Sequence, residues 1–403
     1  MLLLLSLILI SLLLDTLVLN KIARFSPSWS IIISIARILS SLIYIVIFPE
    51  NDLNEFHWSV VVQCDNESIF RFTSLAKFFY CNGIFQDKSQ INLVYSFIGT
   101  ISLSILIRLG KYIQQASFDN YPNKKNQEIS DGISKYLNII LLLTPNSLFY
   151  TSVISKDIFQ FCFIVSILFF SIRPSPLSGI NFIFASLFIY FSRRYVFFIL
   201  VLSSFLALVI PDFYLKVNKF KYIFHLRDKY KTLINRICLV LITLPIFDFL
   251  IKYFISALNT SGLVIKSLNL ASLEELINRW NVEMGGNLAI SPDTNVLIKY
   301  IYFWILPMPL LQSGLGALII GISTIFALYL IFKILEKGIL ISNYKLKFLF
   351  SIIIVYSIAF SITMSNTGIT SRYRFTTIVP ILYILNKVSN YQLKKINYLS
   401  SKS

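Results

Sequence analysis

Residues 2–20 read LLLLSLILISLLLDTLVLN, and this stretch decides the class of fold. Its one charged residue is Asp15, and a helix of this length spans about 30 Å, the thickness of a bilayer's hydrocarbon core. A secretory signal begins with basic residues, whereas here Lys21 and Arg24 follow the apolar run and no small-residue cleavage site is present. We interpret the segment as a first transmembrane helix whose N-terminus is outside.

Comparable apolar runs recur to the end of the chain. They lie at about residues 31–48, 91–110, 136–155, 158–172, 178–192, 195–211, 237–256, 310–332, 348–364 and 375–387. With 56% hydrophobic and 14% charged residues, the chain differs from a soluble domain, which carries about 25% charged residues. This composition excludes a soluble enzyme and a disordered chain. The sequence predicts an all-α polytopic membrane protein with about eleven transmembrane helices, in a single domain over residues 1–403.

The loop charges favour the same count. The net charge of +17 follows from the excess of basic residues in cytoplasmic loops, so we expect no nucleic-acid partner. The loop 212–236 has seven basic and two acidic residues, and the tail 388–403 is also basic. In contrast, residues 49–90 hold six acidic and three basic residues, and residues 257–296 hold four acidic and two basic. We therefore expect these two long loops outside, and the basic loop and tail inside.

The two outer loops are too long to be simple connections. Ser68–Phe79 and Leu273–Trp280 have the pattern of short amphipathic helices on the outer membrane surface. Cys64 and Cys81 share the first of these loops and could pair only if the loop is extracytoplasmic.

Charged side chains beside the bilayer are the first candidate functional residues. Each costs at least ~2.5–3.5 kcal/mol in the membrane unless it is paired or hydrated. The runs SRRY at 192–195 and SRYRF at 371–375 place arginine doublets at the outer interface, where guanidinium groups suit an anionic lipid phosphate. The candidate phosphate-binding residues are Arg193, Arg194, Arg372, Arg374 and Lys156. The alternative for each is a residue that snorkels at a helix end. For Asp15 and Arg37, structural pairing is the better explanation.

An acidic cluster opens the first outer loop, in FPENDLNEFHW at 48–58. Asp52, Glu55 and His57 lie within six residues, and such groups serve as general bases or metal ligands near a membrane-embedded substrate. A solubilising acidic patch is the alternative. The chain has no motif for ATP hydrolysis, serine hydrolysis, zinc proteolysis or dinucleotide binding. No oxygen-ligand cage for a divalent metal is recognisable, so the cofactor remains unknown.

Several motifs together resemble GT-C-type membrane glycosyltransferases and other membrane proteins of bacterial polysaccharide synthesis. They are DLNEFHW at 52–58, TPNSLFYTSVISKD at 144–157, YFSRRY at 190–195, MGGNLAIS at 284–291, ILPMPL at 305–310 and NTGITSRYRFTTIVP at 366–380. Arg194 replaces a proline of the family pattern, Asn287 replaces a serine, and the tryptophan after ILPMPL is missing.

The resemblance implies a bacterial inner-membrane enzyme that transfers sugar from a polyprenyl-phosphate-linked donor at the outer face. It implies an outer-loop acid such as Asp52 as the base, membrane lipid around the site, and other polysaccharide assembly proteins as partners. A Wzy-type polymerase of repeat units, carried on polyprenyl diphosphate, is the nearest alternative. A transporter or flippase of lipid-linked glycans and a structural subunit are further alternatives.

Overall fold

A computed structural model of the chain describes residues 2–47, 61–64, 73–85, 87–120, 135–152, 156–192, 194–217, 219–222, 294–306, 315–363 and 367–400. Most of these residues are helical, in agreement with the predicted class of fold. Within these described ranges, three helices are long and apolar enough to cross a membrane, over Leu4–Lys21, Lys88–Gln115 and Tyr344–Ser361. Four shorter apolar helices contain Pro27–Ile43, Asp157–Ile172, Pro176–Tyr190 and Val196–Val209.

The N-terminal half supplies eight helices within the described ranges. They are α1 (Leu2–Lys21), α2 (Pro27–Ile47), α3 (Ser74–Cys81), α4 (Lys88–Asn120), α5 (135–143), α6 (Pro145–Tyr150), α7 (Lys156–Ile172) and α8 (Pro176–Ser192). Pro145 and Pro176 start α6 and α8 at the position where a missing N–H has no cost. The predicted run 136–155 is therefore two helices, separated at Thr144, because the proline cannot continue α5.

The part of the C-terminal half that the structure describes adds helices and three short strands. They are α9 (Arg194–Val209), β1 (Phe213–Lys216), β2 (Lys219–Tyr222), α10 (Val296–Ile305), α11 (Leu315–Lys337), β3 (Ile339–Ile341), α12 (Tyr344–Thr363), α13 (Thr367–Tyr373), a π-helical turn (Arg374–Ile378) and α14 (Val379–Ser400). The strands form an antiparallel sheet in the order β2-β1-β3. The sheet and α10 are additions to the predicted architecture.

The chain divides into two compact units, although no linker marks their boundaries in the sequence. Unit 1 comprises Met1–Ser192 and Phe375–Ser403, and unit 2 comprises Arg193–Arg374. The chain thus passes between the units within the two arginine-containing runs that the sequence analysis selected. The single membrane domain over residues 1–403 stays a prediction.

In unit 1 the long helix α4 is central, because it packs against α1, α2, α7 and α14. Its buried side chains include Leu103, Leu106 and Ile107. In unit 2, α12 packs against α9 and α10, and β1 lies against α11. Apolar side chains are also widely exposed, for example Leu177, Ile183 and Phe184 on α8, as expected for helices surrounded by lipid.

Candidate functional site

The predicted catalytic residues Asp52, Glu55 and His57 lie outside the described residues, and so do Arg193 and the predicted amphipathic helix Leu273–Trp280. The description of the first long loop resumes at Val61, four residues after His57 in the sequence. Part of its other predicted helix is present as α3.

A disulfide joins two points of this loop. Cys64 and Cys81 are bonded, with 5.8 Å between their Cα atoms and a sequence separation of 17 residues. The bond ties the end of α3 to the segment that follows the acidic cluster. The pairing that the sequence left open is therefore present in the structure.

The disulfide-bonded segment packs against α4 and α7 of the same unit. Val61, Ala76 of α3, Ile91 and Tyr95 of α4, and Ile158 of α7 form one buried hydrophobic cluster. Phe85 and Phe159 pack against this cluster, and the ring of Phe159 meets that of Tyr95 edge to face, with 5.8 Å between the centroids. The cluster therefore brings the loop, the first turns of α4 and the first turn of α7 together.

The first turn of α7 carries two of the charged residues noted in the sequence. Lys156 begins the helix, and its side chain is outside the described set. Asp157 follows and is fully buried, at the end of the helix where the dipole favours a negative charge. One turn later the buried Gln160 donates a hydrogen bond to the Oγ1 atom of Thr377. Polar side chains thus continue along the face of α7 that is buried in unit 1.

Arg374 has a different environment from the predicted one. Its guanidinium group is 1% exposed and donates to the backbone carbonyls of Phe303, Trp304 and Leu306 and to the Oγ1 atom of Thr324. These carbonyls belong to the end of α10, where the last four carbonyls of a helix lack partners within the helix. The structure therefore gives Arg374 a capping contact with α10, whereas the predicted phosphate contact stays a prediction.

Arg372 is only half-buried, in the last turn of α13. The neighbouring Tyr373 packs against Phe360 of α12, with 4.7 Å between the ring centroids. Arg194 begins α9, and its side chain is outside the described set. The structure describes the side chains of two of these four arginines. Arg372 is partly accessible, whereas Arg374 is buried.

Arg37 of α2 is fully buried and makes more contacts than its sequence pattern indicated. Its Nε atom donates to Thr100 Oγ1 at 2.8 Å, and its Nη atoms donate to the carbonyls of Ser96, Ser147 and Thr151 at 3.2, 3.3 and 3.0 Å. A further bond reaches Thr151 Oγ1 at 3.2 Å. Arg37 therefore joins α2 to α4 and to the end of the short helix α6.

Asp15 of α1 supplies the opposite charge. It is 1% exposed, its charge acts on that of Arg37, and it interacts with the side chain of Thr100, which also accepts a hydrogen bond from Arg37. The pairing that the sequence predicted for Asp15 and Arg37 is thus electrostatic, with Arg37 held mainly by oxygen atoms of the backbone. The sequence signal for this pair was the presence of a charged residue in each of two apolar runs, because a charge within the membrane is costly unless it is paired.

A metal site has little support from the residues that the structure describes. No group of three or more His, Cys, Asp or Glu side chains among them is arranged to hold a metal ion.

Comparisons with protein-family models, with curated proteins and with solved structures find no match. The residues and their geometry are therefore the basis of the functional proposal.

Proposed function

We propose that the chain is a membrane glycosyltransferase of the GT-C type, which transfers a sugar from a polyprenyl-phosphate-linked donor in the assembly of a cell-surface glycan. One observation carries the proposal: Val61, four residues after the acidic cluster, and Ile158, next to Lys156 and Asp157, lie in the same buried cluster. The segment that follows the candidate base in the sequence therefore packs against the first turn of the helix that begins at Lys156, and this contact supports the proposal.

The proposal includes eleven transmembrane helices and an outer location for the first long loop. Seven apolar helices lie within the described residues. The proposal counts the broken pair α5 and α6 as one crossing, and the predicted runs at 237–256, 310–332 and 375–387 complete the number. The disulfide supports this topology, because such bonds form and persist in oxidising compartments outside the cytoplasm. In a bacterial cell, the protein would lie in the cytoplasmic membrane with Asp52, Glu55 and His57 outside.

The reaction would proceed as a single displacement. The hydroxyl group of the acceptor attacks the anomeric carbon of the donor sugar, and its proton passes to the Asp52 carboxylate. The bond between that carbon and the lipid phosphate breaks, and the phosphate leaves with the electron pair. Arginine and lysine side chains would stabilise the charge on the leaving phosphate. Glu55 or His57 would orient the base.

The contacts of Arg374 reduce the number of candidate phosphate-binding residues. Because its Nη atoms already bond to the end of α10, Arg374 would support the structure of unit 2. Arg372, Arg193, Arg194 and Lys156 remain the candidates for the donor phosphate.

The test is sugar transfer from a lipid-linked donor by purified Asp52→Asn, Arg194→Lys and Arg372→Lys proteins. Loss of one bidentate contact should cost ~1.5–3 kcal/mol, or about 10- to 150-fold in rate or donor affinity. Lysine should not restore arginine at a bidentate position, because the ammonium group is a point charge.

Lys345→Gln is the matched control. Lys345 is an exposed residue in the first turn of α12, so this variant should transfer sugar at the wild-type rate. Near-normal transfer by all three test proteins, each shown to be folded, would exclude the proposed site and the glycosyltransferase function.

A carrier of lipid-linked glycans is a second candidate, because transporters place broken helices and buried charges at the membrane interior. The division of residues 135–150 into α5 and α6, beside the buried Arg37 and Asp15, favours it. Movement of a fluorescent lipid-linked sugar across proteoliposomes, without any transfer to an acceptor, would support the carrier over the enzyme.

A further inference from the structure

Three arginines from separate parts of the sequence meet at the far end of unit 1. Arg24 lies in the turn between α1 and α2, Arg108 in α4, and Arg173 in the turn after α7. The positive charges of Arg24 and Arg173 both act on Arg108. The positive-inside rule accounts for each residue separately, but it does not explain why the fold brings them together.

Lys111 and Tyr112, which are adjacent in α4, contact the two interhelical turns that carry Arg24 and Arg173. Lys111 donates to the carbonyls of Ala23 and Arg24 at 2.8 and 3.1 Å. Tyr112, four residues after Arg108 and so on the same face of the helix, lies under the guanidinium group of Arg173, 5.6 Å from its ring centroid.

The two turns are themselves well ordered by hydrogen bonds. Asn20 Nδ2 donates to the carbonyl of Phe25 at 3.1 Å across the first turn. In the second turn, Ser178 Oγ donates to the carbonyl of Arg173 at 3.2 Å, and the Ser175 and Ser178 backbone amides bond reciprocally to the two hydroxyl groups. The backbones that carry Arg24 and Arg173 are therefore fixed by contacts that do not use their guanidinium groups.

Within the residues that the structure describes, no acidic side chain compensates the charges of this cluster. Among the described residues, no carboxylate forms an ion pair with Arg24, Arg108 or Arg173. The Nη1 atom of Arg108 is buried and has no hydrogen-bond partner. An unmet buried donor and uncompensated positive charges are both unfavourable, and an anion would remove both costs.

We propose that Arg24, Arg108 and Arg173 form a binding site for a phosphate group. Guanidinium groups donate paired hydrogen bonds to phosphate oxygens, and three of them match a group that carries several acceptors. The phosphate belongs either to an anionic phospholipid headgroup or to a soluble phosphate compound. Arg108 is about 25 Å along α4 from Ile91 of the loop cluster, so this site is separate from the proposed sugar-transfer site.

The experiment measures thermal unfolding of the full chain in a neutral detergent, with phosphatidylglycerol, phosphatidylcholine or inorganic phosphate added separately. We expect phosphatidylglycerol to raise the unfolding temperature of the wild-type protein more than phosphatidylcholine does. Stabilisation by inorganic phosphate as well would assign the site to soluble phosphates, whereas stabilisation by phosphatidylglycerol alone would assign it to lipid. No stabilisation by either phosphate source would overturn the proposal.

Arg108→Gln should have different effects without and with the added anion. Without added anion the variant should be at least as stable as wild type, because repulsion from Arg24 and Arg173 is relieved. With the anion it should bind about 10- to 100-fold more weakly. Arg173→Gln, at an exposed turn position, should show the same loss of binding, whereas Lys345→Gln should bind as wild type does. Wild-type affinity in both arginine variants would refute the site.

Discussion

Replacing Gly99 with alanine tests the contact between α4 and the end of α6. A Cβ atom at Gly99 would lie 2.7 Å from Arg37 Nη2 and well inside contact distance of the Thr151 carbonyl oxygen. The Thr151 backbone would have to retreat by roughly 1 Å to restore a normal contact. That movement would break the bonds of Arg37 Nη2 to Thr151 O and Oγ1, now 3.0 and 3.2 Å long.

The expected magnitude follows from these two bonds. A hydrogen bond to a charged group contributes about 1.5–3 kcal/mol, and alanine gains about 1 kcal/mol over glycine in a helix, so the free energy of unfolding should fall by about 2–5 kcal/mol. Pulse proteolysis in a dodecyl sulfate titration would measure it. Gly179→Ala in α8 is the control, because its Cβ would meet only Phe170, at 3.7 Å. If Gly99→Ala were as stable as Gly179→Ala, this packing would be wrong.

Three further outcomes are expected. A maleimide reagent should add mass at Cys64 and Cys81 only after reduction, and Cys64→Ser should lower the stability of the loop by about 3 kcal/mol, the value for a cross-link of this length. Arg374→Met should lower the unfolding temperature more than any substitution at Arg372, since four acceptors at the end of α10 and on α11 would lose their donor; equal effects would contradict the capping role. Reporter fusions at Gln63 and Asp228 should report opposite sides of the membrane, and a shared side would refute the eleven-helix topology.

Local sequence pattern was sufficient for most helix positions. The apolar runs predicted at 158–172 and 178–192 correspond to Lys156–Ile172 and Pro176–Ser192. These boundaries were predictable because a proline or a charged pair starts each helix and because the apolar run has the length of the helix.

The small sheet was not predictable in the same way. Its strands Phe213–Lys216 (FYLK) and Lys219–Tyr222 (KFKY) lie within a loop whose charge suggested only a cytoplasmic location, and only the second alternates basic and apolar residues. The third strand, Ile339–Ile341, comes more than 100 residues later in the sequence. Such a pairing depends on the tertiary positions of α9, α11 and α12, which no local pattern specifies.

The roles of the arginines also depended on distant contacts. Arg37 bonds to residues between 59 and 114 positions away, and Arg374 bonds to residues 50–71 positions away. In the sequence, Arg374 and Arg372 are two equivalent members of one doublet. Their different burial follows from the helix in which they lie, which the sequence analysis treated only as an interfacial run.

Arg372 lies in the last turn of α13 and Arg374 begins the π-helical turn, so the two arginines of SRYRF project in different directions. Arg374 bonds to the carbonyls at the end of α10, which water could not satisfy inside a membrane. Arg37 does the same for the end of α6 in the other unit. Arg372, two residues earlier, is half-buried and does not share this environment, so its role as a phosphate ligand stays a prediction.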